Sequence, residues 1–131
     1  MNENFDKIKN FLLELEYSIV SEDRSEELFV VEKDNTGIVN MVVDCEDPIL
    51  VFEQFLFEIK NESLDMYKEL LVKNRDIVHG AFVLNEEGNK VLFRDTLQIE
   101  NLDLNEFQAT LNSLEILLSE YADQLIDFSK K

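Results

Sequence analysis

Cysteine, glycine, proline and tryptophan are scarce in this sequence of 131 residues. The single cysteine, Cys45, cannot form an intramolecular disulfide, which excludes the small secreted domains that depend on several disulfides. The three glycines match neither a phosphate-binding loop nor the glycine pattern of dinucleotide-binding folds. The sequence therefore carries no motif for a nucleotide cofactor.

Positive charge is also in short supply. Lys and Arg number 12 against 29 Asp and Glu, which gives a formal net charge of −17. The densest basic stretch, Lys68 to Arg75, holds only three positive charges. Binding to nucleic-acid phosphates requires clustered Lys or Arg, and an anionic membrane surface repels a chain of this charge. We therefore predict neither a nucleic-acid partner nor a membrane partner.

Long apolar runs are missing as well. The longest candidate, Ile49 to Phe57, is interrupted by Glu53 and is far shorter than the roughly 18 residues that a membrane-spanning helix needs. The first residues, Met1 to Asp6, lack the basic start and apolar run of a secretory signal peptide. Since the chain also has a single cysteine, the expected compartment is the reducing cytoplasm.

Apolar and aromatic residues, by contrast, are plentiful. Hydrophobic residues make up 45% of the chain, including ten Phe and three Tyr, so the chain has the material for a packed core that disordered acidic tails lack. A length of 131 residues fits one domain, and we find no repeat or linker. We predict a single domain over residues 1–131.

Hydrophobic periodicity predicts an α+β fold with the element order α-β-β-β(-β)-α-β-β-α. In the first half, a helical spacing is followed by four apolar runs typical of strands. These segments are Phe5–Leu15, then Tyr17–Val20, Leu28–Val31, Ile38–Cys45 and Ile49–Ile59. The last run is apolar and rich in Val, Ile and Phe, which favours a strand, although periodicity alone does not distinguish it from a buried helix.

In the second half, Ser63 is the predicted N-cap of a middle helix. The inward stripe of that helix is expected to contain Leu64, Tyr67 and Leu71, reinforced by Leu70. Two short runs around Gly88 then predict a β-hairpin, and Asp103 is the expected N-cap of a long final helix. The hairpin strands are Gly80–Leu84 and Lys90–Arg94, and the apolar stripe of the final helix is Phe107, Leu111, Leu114, Leu118, Tyr121, Leu125 and Phe128.

Residues for catalysis or metal binding are not grouped in a way that indicates chemistry. His79 is the only histidine, and Cys45 alternates with apolar residues as one face of a strand does. A zinc site usually needs two or more His or Cys ligands. An EF-hand reading of the segment from Asp34 fails, because Gly37 occupies its fourth position and Cys45 its twelfth. We therefore predict no catalytic residues, no metal and no cofactor.

The strands carry apolar residues on both faces, whereas a sheet with one solvated face alternates apolar and polar residues cleanly. Either the chain covers both faces itself, or one face meets a partner. We predict a homodimer through apolar surface that the helices leave uncovered. The residues expected at this interface are Ile38, Val42, Phe52 and Leu56.

The order of elements and several residues resemble the YbjN-like family, bacterial proteins that share the fold of type III secretion chaperones of the Tir-chaperone kind. The resemblance covers most of the chain and lies mainly at packing and turn positions. These are Leu70-Leu71 with Asn74, Gly80–Leu84 with Gly88, Val91–Arg94 and the closing helix from Leu102. The resemblance implies a strongly twisted antiparallel sheet with helices, an acidic and often dimeric protein, a chaperone-like or regulatory role, and no catalytic residues.

The leading functional hypothesis is thus a non-catalytic module that binds a protein partner, chaperone-like or regulatory. Two alternatives stay open. One is a small acidic inhibitor whose carboxylates mimic nucleic acid, and the other is a small-ligand sensor or an unrecognised enzyme, which would need a pocket with convergent polar groups.

Overall fold

The structure, a computed structural model, describes residues 3–131. It contains three α-helices and six strands, with a short 3₁₀ turn after the second helix. The elements are α1 (Glu3–Glu14), β1 (Ser18–Asp23), β2 (Leu28–Lys33), β3 (Ile38–Glu46), β4 (Ile49–Glu58), α2 (Leu64–Lys73), the 3₁₀ turn Asn74–Asp76, β5 (Ala81–Leu84), β6 (Lys90–Gln98) and α3 (Leu104–Lys130). The predicted order is confirmed, and the run that sequence left open between strand and helix is strand β4.

All six strands form one antiparallel sheet in the order β1-β2-β3-β4-β6-β5. The chain folds as a meander through β4, and β6 then pairs with β4 while β5 takes the outer place beside β6. The predicted α+β class with a twisted antiparallel sheet and N-terminal, middle and long C-terminal helices is confirmed in its elements and pairing.

Helices α1 and α3 pack on one face of the sheet, which we call the helix face, and α2 lies beside the outer strand β5. Phe5 of α1 stacks on Phe29 of β2 with ring centroids 4.3 Å apart. Phe107 of α3 lies 5.4 Å from Phe52 of β4. The core between these layers is almost entirely apolar; its largest fully buried side chains include Phe5, Phe29, Phe52, Phe93, Phe107, Ile8, Leu12 and Leu111. Burial of these aromatic and aliphatic side chains stabilises the fold.

Helix α2 begins as predicted but turns a different face inward. The Ser63 hydroxyl accepts a hydrogen bond from the Met66 amide at 3.3 Å. Yet Leu64 and Leu71 are 83% and 67% exposed, so their predicted place in the inward stripe was wrong. Met66 and Leu70 are buried instead.

The rotation of α2 has a polar cause at the C-cap of the helix. Asn74 continues the 66, 70 spacing, and its side-chain amide is bonded to the backbone of β5. Asn74 Oδ1 accepts from the Phe82 amide at 2.8 Å, and Asn74 Nδ2 donates to the Phe82 carbonyl at 3.2 Å. Two hydrogen bonds to one strand residue fix the angle at which α2 meets the sheet, which the apolar pattern alone does not specify.

Helix α3 starts at the predicted cap, since Asp103 Oδ1 accepts from the Glu106 amide at 2.9 Å. Leu114 is fully buried, as predicted. Leu118, which was predicted to lie in the same apolar stripe, is only half-buried. It lies against the β2–β3 turn, where a Cβ on Gly37 would come within 3.1 Å of Leu118 Cδ1. Because Gly37 also has φ +84°, a side chain at this turn is disfavoured by backbone and by packing.

Candidate protein-interaction surfaces

No helix in the described range 3–131 packs on the second face of the sheet, which we call the open face. Strand pairing fixes which residues share it, because side chains that are paired across strands point the same way. Val42 of β3 pairs with Val30 of β2 and with Glu53 of β4. The apolar residues of this face are Leu28, Val30, Val42, Ile49, Val51, Phe55, Val83 and Leu92.

These apolar side chains are accessible to different degrees. Phe55 is 53% exposed and Ile49 is 40% exposed. Val30, Val42, Val51 and Leu92 are half-buried, because neighbours in the same cross-strand rows shield them. The open face therefore carries apolar side chains of moderate accessibility in neighbouring rows rather than a few isolated exposed residues.

Carboxylates interrupt and border the apolar strip. Asp44 is paired with Leu28 and Val51, Glu46 is paired with Ile49, and Glu53 is paired with Val42. Arg94 of β6 forms an ion pair with Glu53. The open face thus combines apolar side chains with an excess of negative charge.

Basic groups are confined to the β6 side of the open face. Lys90 of β6 lies 6.0 Å from the centre of the Phe55 ring. Of the basic residues of β1–β3 and their turns, Lys33 donates to the Leu15 carbonyl at 3.0 Å, and Arg24 bonds to Asp6 of α1, so both belong to the helix face. The half of the open face formed by β1, β2 and β3 is consequently negative.

Asp44 is the carboxyl group of this face whose acidity is most altered. Partial burial, a hydrogen bond with Glu46 and the nearby charges of Glu46, Glu26 and Glu53 raise its pKa from 3.8 to about 6. Each of these causes disfavours the ionised form. A cation placed next to Asp44 would offset the repulsion from Glu46, Glu26 and Glu53, so a positively charged partner is favoured electrostatically at this position.

A second apolar surface is formed by the outward side of α2. Leu64, Leu71 and Val72 are 83%, 67% and 58% exposed, and together with Lys68 we call them the α2 surface. A shallow cleft of about 280 Å³ lies between this helix and β5. The cleft is lined by Tyr67, Leu70, Leu71, Phe82, Val83, Leu84 and Val91.

The α2 surface differs from the open face in charge. Residues 62–76 contain four carboxylates and three basic residues, so this segment is close to neutral in a chain whose net charge is −17. Lys68 and Lys73, from the densest basic stretch of the sequence, thus lie on the helix that also exposes Leu64, Leu71 and Val72.

The four residues predicted for an interface do not lie together. Ile38 and Phe52 are 2% and 0% exposed and belong to the core, so neither presents surface to a partner. Leu56 is half-buried on the helix side, near Leu118 and Leu125. Only Val42 lies on the open face. Ile38 and Val42 lie on opposite faces because β3 has an extra residue relative to β2 between Ile38 and Met41, where Asn40 has φ +50°. Phe52 and Leu56 do share a face of β4, but it is the face that the helices cover.

The residues of the open face that sequence reasoning missed are Val30, Val51 and Leu92, together with the exposed leucines of α2. A signal for the first group was present, since Leu28 and Val30 alternate with the bulkier Phe29 and with Val31. Aromatic rings on one face and carboxylates on the other, rather than apolar character alone, distinguish the two faces.

Cys45 and His79 occupy unremarkable positions. Cys45 is 6% exposed in the core, and burial, with the charges of Glu27 and Asp44, raises its thiol pKa to about 12. The backbone carbonyl of His79 accepts a hydrogen bond from the Ser113 hydroxyl at 2.7 Å. Within residues 3–131, no group of three or more His, Cys, Asp or Glu is placed to hold a metal ion, and no helix there has the length and apolar character to cross a membrane.

The chain matches one protein family over its whole length and shares its fold with several solved structures. The CesT_Tir_1 family model matches residues 1–131. A chain of the HopA1–SchA chaperone–effector complex has a TM-score of 0.63 at 14% identity, over 100% of this chain and 98% of that chain. No protein among curated sequences matches the chain.

Two further solved structures have similar folds. A chain of the ExsC–ExsE complex has a TM-score of 0.65 at 19% identity, over 92% of this chain and 95% of that chain. YbjN from E. coli has a TM-score of 0.66 at 12% identity, over 91% of both chains. At these identities the likeness establishes the shared fold.

Proposed function

The chain belongs to the CesT_Tir_1 family, and from that premise we propose that it is a non-catalytic, chaperone-like or regulatory module that binds a segment of another protein. The observation that carries the proposal is the open face, an apolar strip around Val42 and Val51 that no helix of residues 3–131 covers. Apolar surface of this kind, bordered by charged residues, is typical of protein-interaction sites.

The solved structures of similar fold support this function. One is a chaperone–effector complex, and another is the complex of ExsC with ExsE. A reducing compartment is consistent with the buried, unpaired thiol of Cys45. We place the protein in the cytoplasm and assign it no reaction of its own.

The two alternative functions have weaker support. An acidic mimic of nucleic acid needs carboxylates that follow one another like phosphates, whereas Asp44 and Glu53 alternate with Val42 and Val51 on the open face. A ligand sensor needs convergent polar groups in a cavity. The cleft beside α2 is lined by apolar side chains and by Tyr67.

We also propose that the protein forms a homodimer through the α2 surface rather than through the open face. Two copies of the open face would bring like carboxylates together, which costs energy in a partly buried interface. The nearly neutral α2 surface has no such penalty and offers Leu64, Leu71 and Val72 for burial. A stable pair would need to bury about 800 Å² per partner.

Affinity capture from a native cell extract, followed by binding with the purified captured protein, tests the binding function. The wild-type chain is expected to retain a defined protein that Val42→Glu loses. Leu13→Glu, which introduces the same charge at an exposed apolar position of α1, is expected to retain it. Capture of a nucleic-acid enzyme that binds the wild type and Val42→Glu equally well would favour the acidic mimic of nucleic acid and contradict the proposal.

Light scattering coupled to size exclusion tests the dimer at on the order of tens of micromolar protein. We expect a dimer mass for the wild type and for Val42→Glu, and a monomer mass for Leu71→Glu with Val72→Glu. A monomeric wild type refutes the dimer, and a monomeric Val42→Glu with a dimeric α2 variant places the dimer contact on the open face.

A further inference from the structure

We propose that the partner segment recognised by the open face is a basic amphipathic α-helix, whose apolar stripe lies on Val30, Val42 and Val51 and whose Lys or Arg side chains meet Asp44, Glu46 and Glu53. The inference deepens the proposed function and rests on it. It names the chemistry and conformation of the occupant, which neither the family nor the similar structures supply.

The helical conformation follows from what a sheet face offers. The backbone N–H and C=O groups of β2, β3 and β4 are engaged in their ladders on both sides, so only side chains project from the open face. An extended peptide lying on that face would find no backbone partner, and unpaired backbone groups are costly when buried. A helix satisfies its own backbone hydrogen bonds and needs only side-chain contacts.

The apolar stripe of such a helix fits the geometry of the open face. Val30, Val42 and Glu53 form one row across three neighbouring strands, and Leu28, Asp44 and Val51 form the next. Strands are about 4.8 Å apart, and alternate residues along a strand are about 7 Å apart. Residues i and i+3 or i+4 of a helix are separated by about 5–6 Å, so one helical face can contact both rows.

The basic charge follows from the distribution of carboxylates. Asp44 and Glu46 lie on β3 and Glu26 in the turn between β1 and β2, and no Lys or Arg of the described β1–β3 segment points to this face. Arg94 of β6, on the same face, is already paired with Glu53. A partner with Lys or Arg beside its apolar stripe supplies the missing counter-charge, whereas an acidic helix or a second copy of this chain does not.

The same distribution predicts how binding depends on pH. Asp44 is faced by Glu46 from its own strand, Glu26 from the β1–β2 turn and Glu53 from β4, the last paired with Arg94 of β6. The pKa of Asp44 is about 6, so its charge is lost as the pH falls through that value. Affinity for a basic helix should therefore fall between about pH 7.5 and pH 5.

Synthetic peptides of about 18 residues provide the probe. The first has a Leu stripe flanked by Lys, the second has Glu in place of every Lys, and the third has the Leu and Lys residues of the first in an order that gives no stripe. Fluorescence anisotropy with the full chain measures affinity at about 50 mM and about 300 mM NaCl. We expect the Leu/Lys helix to bind at least about tenfold more tightly than either control peptide, and less tightly at the higher salt concentration.

Variants test whether the Leu/Lys peptide binds the open face or is attracted to the negative charge of the protein in general. Asp44→Asn with Glu46→Gln should lower the affinity for the Leu/Lys peptide about fivefold or more at low salt, and Val42→Asp should lower it about tenfold. The matched control, Glu120→Gln with Asp123→Asn on the exposed side of α3, removes the same charge and should change affinity less than about twofold.

Equal affinities for the Leu/Lys and Leu/Glu peptides, or equal losses in the open-face and α3 variants, overturn the inference. If a captured native partner nevertheless depends on Val42, the open face still binds protein and only the basic helical occupant is wrong. If neither the peptide nor a native partner responds to Val42, the proposed function fails with it.

Discussion

The two faces of the sheet are built from the same strands, yet they differ in the kind of apolar residue that each carries. On the helix face, β2, β4, β5 and β6 contribute Phe29, Phe52, Phe57, Phe82 and Phe93, all buried. On the open face the apolar residues are Val, Leu and Ile, with Phe55 as the single exception among the strands of residues 3–131. Apolar character alone is therefore a poor guide to which face is core, while ring size and neighbouring charge distinguish the faces.

Phe52 and Phe55 on β4 give the sharpest test of this comparison, because they are the same residue type on opposite faces of one strand. We expect Phe52→Ala to lower the free energy of unfolding by about 3–5 kcal/mol, since the ring is fully buried against Phe107. Phe55→Ala should lower the free energy of unfolding by less than about 1 kcal/mol, because Phe55 is 53% exposed. Urea denaturation measures both, and equal losses would mean that the open face is covered in solution.

A smaller difference is expected along α3. Leu114→Ala should cost about 2–5 kcal/mol, as substitutions of buried leucines do. Leu118→Ala should cost about half as much, because Leu118 is half-buried beside Gly37 and the space it leaves opens to solvent. The same denaturation experiment compares the two variants. A larger loss for Leu118 than for Leu114 would contradict the packing described above.

The smallest effect concerns charge on the open face. Asp44 has a folded-state pKa of about 6, above its ordinary value of 3.8, so folding is favoured by its protonated form and disfavoured once it ionises. This contribution to stability is fully present below about pH 4 and is lost as the pH rises through 6. Asp44→Asn should therefore stabilise the protein by about 1 kcal/mol near pH 8, after allowance for solvent screening, and have no effect below about pH 4.

Unfolding curves of the wild type and Asp44→Asn at several pH values test the sign of this effect. Glu120→Gln on α3, far from the Asp44 group in the fold, serves as the charge control and should not reproduce the pH dependence. Stabilisation by Asp44→Asn that is equal at pH 4 and pH 8 would show that ionisation of Asp44 is not its cause.

Much of the fold was predictable because it depends on local signals. The caps at Ser63 and Asp103 and the hairpin around Gly88 are short-range features, and each is present where the sequence predicted it. The family expected from the sequence is confirmed by the match over residues 1–131. Periodicity was sufficient for the order of the elements.

The interaction surfaces were less predictable because they depend on contacts between distant residues. The bulge in β3 between Ile38 and Met41 is visible only once β3 is paired with β2, and it places Ile38 on the opposite face from Val42. The rotation of α2 depends on the hydrogen bonds between the Asn74 side chain and the Phe82 backbone, which the apolar pattern does not show. Neither the bulge nor this contact produces a distinctive pattern in the local sequence.

The pair of hydrogen bonds between Asn74 and Phe82 has a consequence for assembly. Since β5 is the outermost strand, the backbone groups of Phe82 that point away from β6 would be free to recruit a strand from another molecule. The Asn74 amide, with one donor and one acceptor, takes the place of that missing strand for a single residue. Edge-to-edge pairing of two sheets through β5 is thereby blocked at Phe82. A strand from another molecule can pair along all of β5 only after the Asn74 side chain has released the Phe82 backbone.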